Sequence, residues 1–133
     1  MSTTTLTLTP VTVVASGVNA AGATTRGTAD MRGGLGGLLT LKITNGATGP
    51  TVQCEGRVLI SHSSGATPAA SSAGADWKTL WIFGGGIVAN AVTEQSLDVP
   101  PCQHLEVEFT GNTGQGVTVE AELTKYTNAA TTV

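Results

Sequence analysis

An antiparallel all-β fold is what this 133-residue sequence predicts, on three observations. Apolar and polar residues alternate with a period of two in seven separate segments, the repeat that sends successive side chains to opposite faces of a strand. No window carries the apolar stripe of a helix. Between the segments lie runs of Gly, Asn and Pro, which supply the positive or fixed φ that turns need.

In chain order the first strand is "LTLTPVTVV" (6–14), where Thr alternates with Leu or Val. "LLTLKIT" (38–44) follows, and "NGATGP" (45–50) then predicts a hairpin into "VQCEGRVLIS" (52–61), where Val52, Cys54, Val58 and Ile60 share a parity. "WKTLWIF" (77–83) places Trp77 and Trp81 on one parity, and "EQSLDV" (94–99) ends at Pro100 and Pro101. Prolines cannot donate to a ladder, so that pair marks a corner between strands or sheets. "QHLEVEF" (103–109) sets Leu105, Val107 and Phe109 against His104, Glu106 and Glu108. "GNTGQG" (111–116) predicts a second hairpin into "VTVEAELTKY" (117–126), where Val117, Val119, Ala121 and Leu123 oppose Thr118, Glu120, Glu122 and Thr124. The four glutamates are thus expected on the wet face of one hairpin. Strands with one dry face must cover it with a second sheet, so one β-sandwich domain over 1–133, jelly-roll-like, is expected. Segments 19–37 and 63–76, rich in small residues, read as long loops, and 1–5 and 127–133 as flexible tails.

Composition narrows the function. Charged residues make up 11% of the chain and aromatics 4%, so small neutral side chains must cover much of the surface. The net charge is −3 and the six Lys and Arg are scattered singly, which leaves no basic stripe for direct contact with nucleic acid. The start "MSTTTLTLTP" lacks the pattern of a signal peptide, and no window approaches the roughly 20 apolar residues of a membrane span. Synthesis and assembly in the cytoplasm are expected, which disfavours a disulfide between Cys54 and Cys102 without deciding whether they pair, and Cys54 reads as a buried apolar thiol.

No chemical fingerprint emerges. "SHSSG" (61–65) is the nearest approach to a nucleophile and base, but adjacent Ser and His do not make a triad. The glutamates lack a calcium loop of the DxDxDG kind, and "GGLGG" (33–37) lacks the Lys and helix of a phosphate loop. Two Trp on one face suit sugar stacking, yet in so aromatic-poor a chain they read as core filling or an interface anchor. No catalytic residue, cofactor or metal is expected.

The succession "LTLKITNGATGPTVQCEGRVLIS", "DWKTLWIFGGG" and "VPPCQHLEVEFTGNTGQGVTVEAEL" resembles the jelly-roll cement or decoration proteins of tailed-bacteriophage capsids, over about Leu38 to Tyr126. The resemblance implies a non-enzymatic virion protein on the outer surface of the capsid, tying neighbouring major capsid proteins together as a homo-oligomer, with a dimer expected before a trimer. The contacts it suggests are Thr3 and Thr4 of the N-terminal tail, Arg26, Met31, Arg32 and Leu35 of the first long loop, Pro68 of the second, and Trp77 and Trp81. Two other readings stand beside it: a head-fibre or tail-associated module that binds a host receptor or glycan, and a soluble carbohydrate-binding domain. Both require exposed Trp rings.

Overall fold

The computed structural model describes residues 3–71 and 76–132; residues 1, 2, 72–75 and 133, and the side chains of Thr3, Thr4 and 128–132, lie outside the described residues. Eight strands follow in order: β1 (Thr3–Asn19), β2 (Thr25–Asp30), β3 (Gly37–Asn45), β4 (Glu55–Ser61), β5 (Trp77–Gly84), β6 (Val92–Val99), β7 (His104–Thr110) and β8 (Val117–Thr132). They form two antiparallel sheets, with strand orders β1-β8-β3-β6 and β2-β7-β4-β5. That order is a jelly roll, an eight-stranded sandwich of two Greek keys.

The dry faces expected from alternation do meet. Leu39, Leu41 and Ile43 of β3 and Val117, Val119, Ala121 and Leu123 of β8 lie buried against Val58 of β4 and Leu105, Val107 and Phe109 of β7. Full burial of such a side chain contributes about 1.5–3 kcal/mol, so these inner rows hold the sheets together.

Several expectations are corrected. The turns at 45–50 and 111–116 do not close lateral hairpins, because β3 and β4, like β7 and β8, belong to different sheets. A Gly- and Asn-rich reversal serves equally well for crossing a sandwich. Among the described residues, β4 and β5 are the only consecutive strands that pair directly. Pro100 and Pro101 lie where the chain crosses from β6 to β7, the expected corner.

Segment 19–37 is not all loop, since it contains β2. Its inward residues include Gly27 and Ala29, too small to give an apolar stripe. They are small because β1 passes close by: a Cβ on Gly27 would lie 1.9 Å from the Val13 carbonyl oxygen. Residues 3–5 and 127–132, expected as tails, are paired in β1 and β8 as far as Thr3 opposite Thr132.

The four glutamates do not share a face. Glu120 and Glu122 lie on the outer face of the first sheet, whereas Glu106 and Glu108 lie on the outer face of the second and are buried. Trp77 and Trp81 also part company. The β4–β5 register slips between Val58 and Leu59, so that Trp81 pairs with Val58 and Trp77 with Ser61. Trp81 packs on the core, stacked on Phe83 with ring centroids 5.1 Å apart. Trp77 lies on the opposite face, buried, its indole N–H donating to the Ala69 carbonyl at 2.7 Å.

Candidate functional site

Three surfaces carry the polar and apolar groups left over from the core. The first is the outer face of the second sheet, where cross-strand register builds the rows Asp30–His104–Ser61–Trp77, Thr28–Glu106–Leu59–Thr79 and Arg26–Glu108–Arg57–Ile82. Residues 62–71 fold over it as a strap. Arg26 pairs with Glu106 and reaches the Pro68 carbonyl, Ser71 donates to Glu108, and Arg32 donates to the Gly65 carbonyl at 3.0 Å. His104 Nε2 lies 3.0 Å from the same carbonyl. A bidentate bond from Arg32 holds the Asp30 carboxyl well below the usual carboxylate range. These groups are spent on fastening the strap. One oxygen of Glu106 and Nδ1 of His104 are left buried without a partner.

Four of the nine suggested contacts belong to this strap or lie beneath it. Arg26, Arg32 and Pro68 fasten it and Trp77 lies beneath it. Met31, 1% exposed, is a core residue and cannot touch a partner, which corrects its assignment as a contact. Trp81 is half-buried on the core side, and Leu35 is exposed. Thr3 and Thr4 carry side chains outside the described residues.

A second surface is a shallow groove of about 310 Å³ lined by Gly33, Gly34, His62, Pro101, Cys102 and Gln103. Burial pushes the Cys102 thiol up, away from the thiolate a nucleophile needs. Ser61, beside His62, is wholly buried and its hydroxyl accepts from the Ser63 amide at 3.1 Å. Among the described residues no group of three His, Cys, Asp or Glu is placed to hold a metal ion.

Burial pushes the Cys54 thiol further, from 9.0 to about 11. The neutral thiol favours the folded state fully below pH 9, and that contribution is lost as pH rises through about 11. At neutral pH, alkylation of native protein is therefore expected to spare Cys54 and to modify it only in denaturant. Rapid native modification of Cys54, read by mass spectrometry, would contradict its burial.

The third surface is an end of the sandwich. Because the chain runs alternately up and down, 20–24, 46–54, 85–91 and 111–116 all gather at the end opposite both termini. None of the four contains Asp, Glu, Lys, Arg or His. Buried amides tie them together. Asn19 donates to Asn112 at 2.6 Å, Asn112 donates to the Gln115 carbonyl at 2.9 Å, and Asn45 donates to the Val88 carbonyl at 2.9 Å. The Thr51 amide donates to the Thr113 carbonyl at 2.8 Å. On and beside this pinned end Val18, Val52, Ile87, Val88 and Val92 are each more than half exposed. Single exposed apolar residues are ordinary; here five lie on or beside one end, whose four turns carry no charge. Sequence reasoning missed these residues. The signal was the shared absence of charge in four turns, legible only once they were known to meet.

No protein-family model matches the chain, and no curated protein does. Among solved structures the chain is similar to the K3 cleaved adhesin domain of Lys-gingipain from Porphyromonas gingivalis w83, with a TM-score of 0.58 and 11% identity over 82% of this chain and 73% of that one. It is also similar to a chain of infectious bursal disease virus, Gx strain, with a TM-score of 0.54 and 6% identity over 95% of this chain and 34% of that one. A family 16 carbohydrate-binding module gives a TM-score of 0.46 and 7% identity over 89% of this chain and 76% of that one. The first two likenesses are of fold alone: the protein is a β-sandwich.

Proposed function

We infer that this is a structural virion protein, a cement or decoration subunit that sits on the outside of a tailed-bacteriophage head and sets its charge-free end against the assembled major capsid protein. The observation that supports this most is the end itself. Its four turns are uncharged and tied together by buried amides, and it points away from both chain termini. Such a surface suits a flat, neutral protein partner reached by apolar contact and short hydrogen bonds. A subunit that binds the assembled shell and not its dissociated parts stabilises the shell by mass action. Occupancy of many equivalent positions multiplies a modest contact. The protein acts without turnover, is made in the host cytoplasm, needs no cofactor and ends in the virion. Glycan stacking is not favoured, because Trp77 lies under the strap and Trp81 stacks on Phe83 against the core.

The test is co-sedimentation of the protein with expanded, undecorated capsids. Saturable binding at a fixed ratio to capsid protein is expected, together with greater resistance of the particles to heat. Raising salt from about 0.05 to about 0.5 M shortens the screening length roughly threefold. A charge-free contact should hold its affinity within about twofold across that range. Ile87→Lys and Val88→Asp, of opposite sign, should each weaken binding about 10- to 100-fold while leaving the melting midpoint unchanged. Failure to bind shells, or full binding by both variants, would overturn the reading.

A further inference from the structure

At the other end of the molecule the first sheet outgrows itself. Pairing of β3 with β8 stops at Gly37 opposite Lys125, extended by the Leu35 amide bonding to the Tyr126 carbonyl. The β1–β8 ladder continues past this point to Thr3 opposite Thr132. Residues 3–7 and 127–132 therefore form a two-stranded ribbon neither of whose edges has a ladder partner among the described residues. Two strands alone are marginally stable in water, and a third strand or a packed face is needed to secure them.

Of the devices that keep sheet edges apart the ribbon carries one, a register shift between Thr5 and Leu6, and its extra residue, Ala129, lies on β8 and not on the outer edge of β1. β6 carries Glu94 and Asp98, the short β2 carries Arg26 and Asp30, and β5 carries Lys78 and a register break. Charges, shortness and bulges of this kind block edge-to-edge association. β1, at 17 residues, has no charged side chain at all. Leu6 and Leu8 share a parity and are both more than half exposed, and Leu35 and Leu38 are exposed near the ribbon's root. Pro10 offers no amide to a partner and so ends an added strand on that side.

We propose that the free edge of β1 from Thr3 to Thr9 pairs with the same segment of a second copy, giving a two-fold dimer joined by a continuous sheet β8-β1-β1-β8. An antiparallel pair is its own two-fold partner, so one segment serves as both halves of an isologous interface. A segment without charge meets its own image without repulsion, and Leu6 and Leu8 of both copies come together on one face. The ribbon and the charge-free end lie at opposite ends of the molecule, so this pairing and the shell contact can each fail alone.

The test is sedimentation equilibrium of the full chain, beside the double variant L6K/L8K and the shell-contact variant V88D. Wild-type protein and V88D are expected to be dimers at micromolar concentration. L6K/L8K sets like charges opposite one another and should weaken association at least about 100-fold, with an unchanged melting midpoint when dilute. A wild-type monomer, a trimer, or a dimer that survives L6K/L8K would overturn the proposal. So would ribbon amides protected from hydrogen exchange only on shells, an outcome that would assign the edge to the capsid protein.

Discussion

Arg26→Ala is expected to be among the most damaging single changes in this protein, although the residue lies on the surface. Its partner Glu106 is wholly buried beneath the strap, with one carboxylate oxygen already lacking a hydrogen bond. Removing one partner of a buried pair typically costs 3–5 kcal/mol, because a charge is left without compensation in a place that water does not reach. The Arg26 side chain is itself 31% exposed, which screens the pair and points to the low end, about 3 kcal/mol. The change should also loosen the strap, since Arg26 holds the Pro68 carbonyl. Adding Glu106→Gln removes the stranded charge, so the double variant should regain more than half of the loss in urea denaturation. If the double variant is no more stable than Arg26→Ala, the loss comes from the strap contacts and not from a buried charge.

Gly27→Ala should be comparably severe for a different reason. The new Cβ would lie 1.9 Å from the Val13 carbonyl oxygen, 2.8 Å from its carbon and 2.8 Å from Val14 Cγ2. Two of these atoms are backbone. β1 cannot retreat without straining its ladder with β8, and β2 is held by six residue pairs to β7. Overpacking against atoms that cannot rotate away costs about 3 kcal/mol or more, roughly 10 °C in melting midpoint for a domain of this size. Gly65→Ala is the control, because its nearest neighbour would be the Ser63 hydroxyl at 4.0 Å. Equal midpoints for the two variants would mean that β1 and β2 are not in this close approach.

Both effects concern residues whose importance was only half visible in the sequence. Alternation in 103–109 correctly divided Leu105, Val107 and Phe109 from His104, Glu106 and Glu108. It also led to the expectation that the polar side is wet, which the strap reverses: an Ala- and Ser-rich segment some forty positions earlier folds over it and turns three ionisable residues into buried ones. Nothing in 103–109 itself reports that cover. Gly27 carried no signal either, because a strand whose inward residues are chosen for smallness looks like a loop. In 77–83 simple parity placed Trp77 and Trp81 together, and a single register slip separated them.

The sequence by itself determined the class of fold, the approximate place of every strand but β2, and the inward side chains of β3, β7 and β8. It could do so because the alternation of faces along a strand is local geometry, written every second residue. Only the tertiary structure decided which strands are neighbours, that both supposed hairpins cross between sheets, which outer face is covered, and that four uncharged turns share one end. Those choices rest on hydrogen bonds and burial between residues far apart in the chain, such as Asn19 with Asn112 and Arg26 with Glu106. Backbone amides pair with any strand brought beside them, and a Gly-rich turn permits more than one direction of return, so local residue choice leaves the arrangement open until the sheets close on each other.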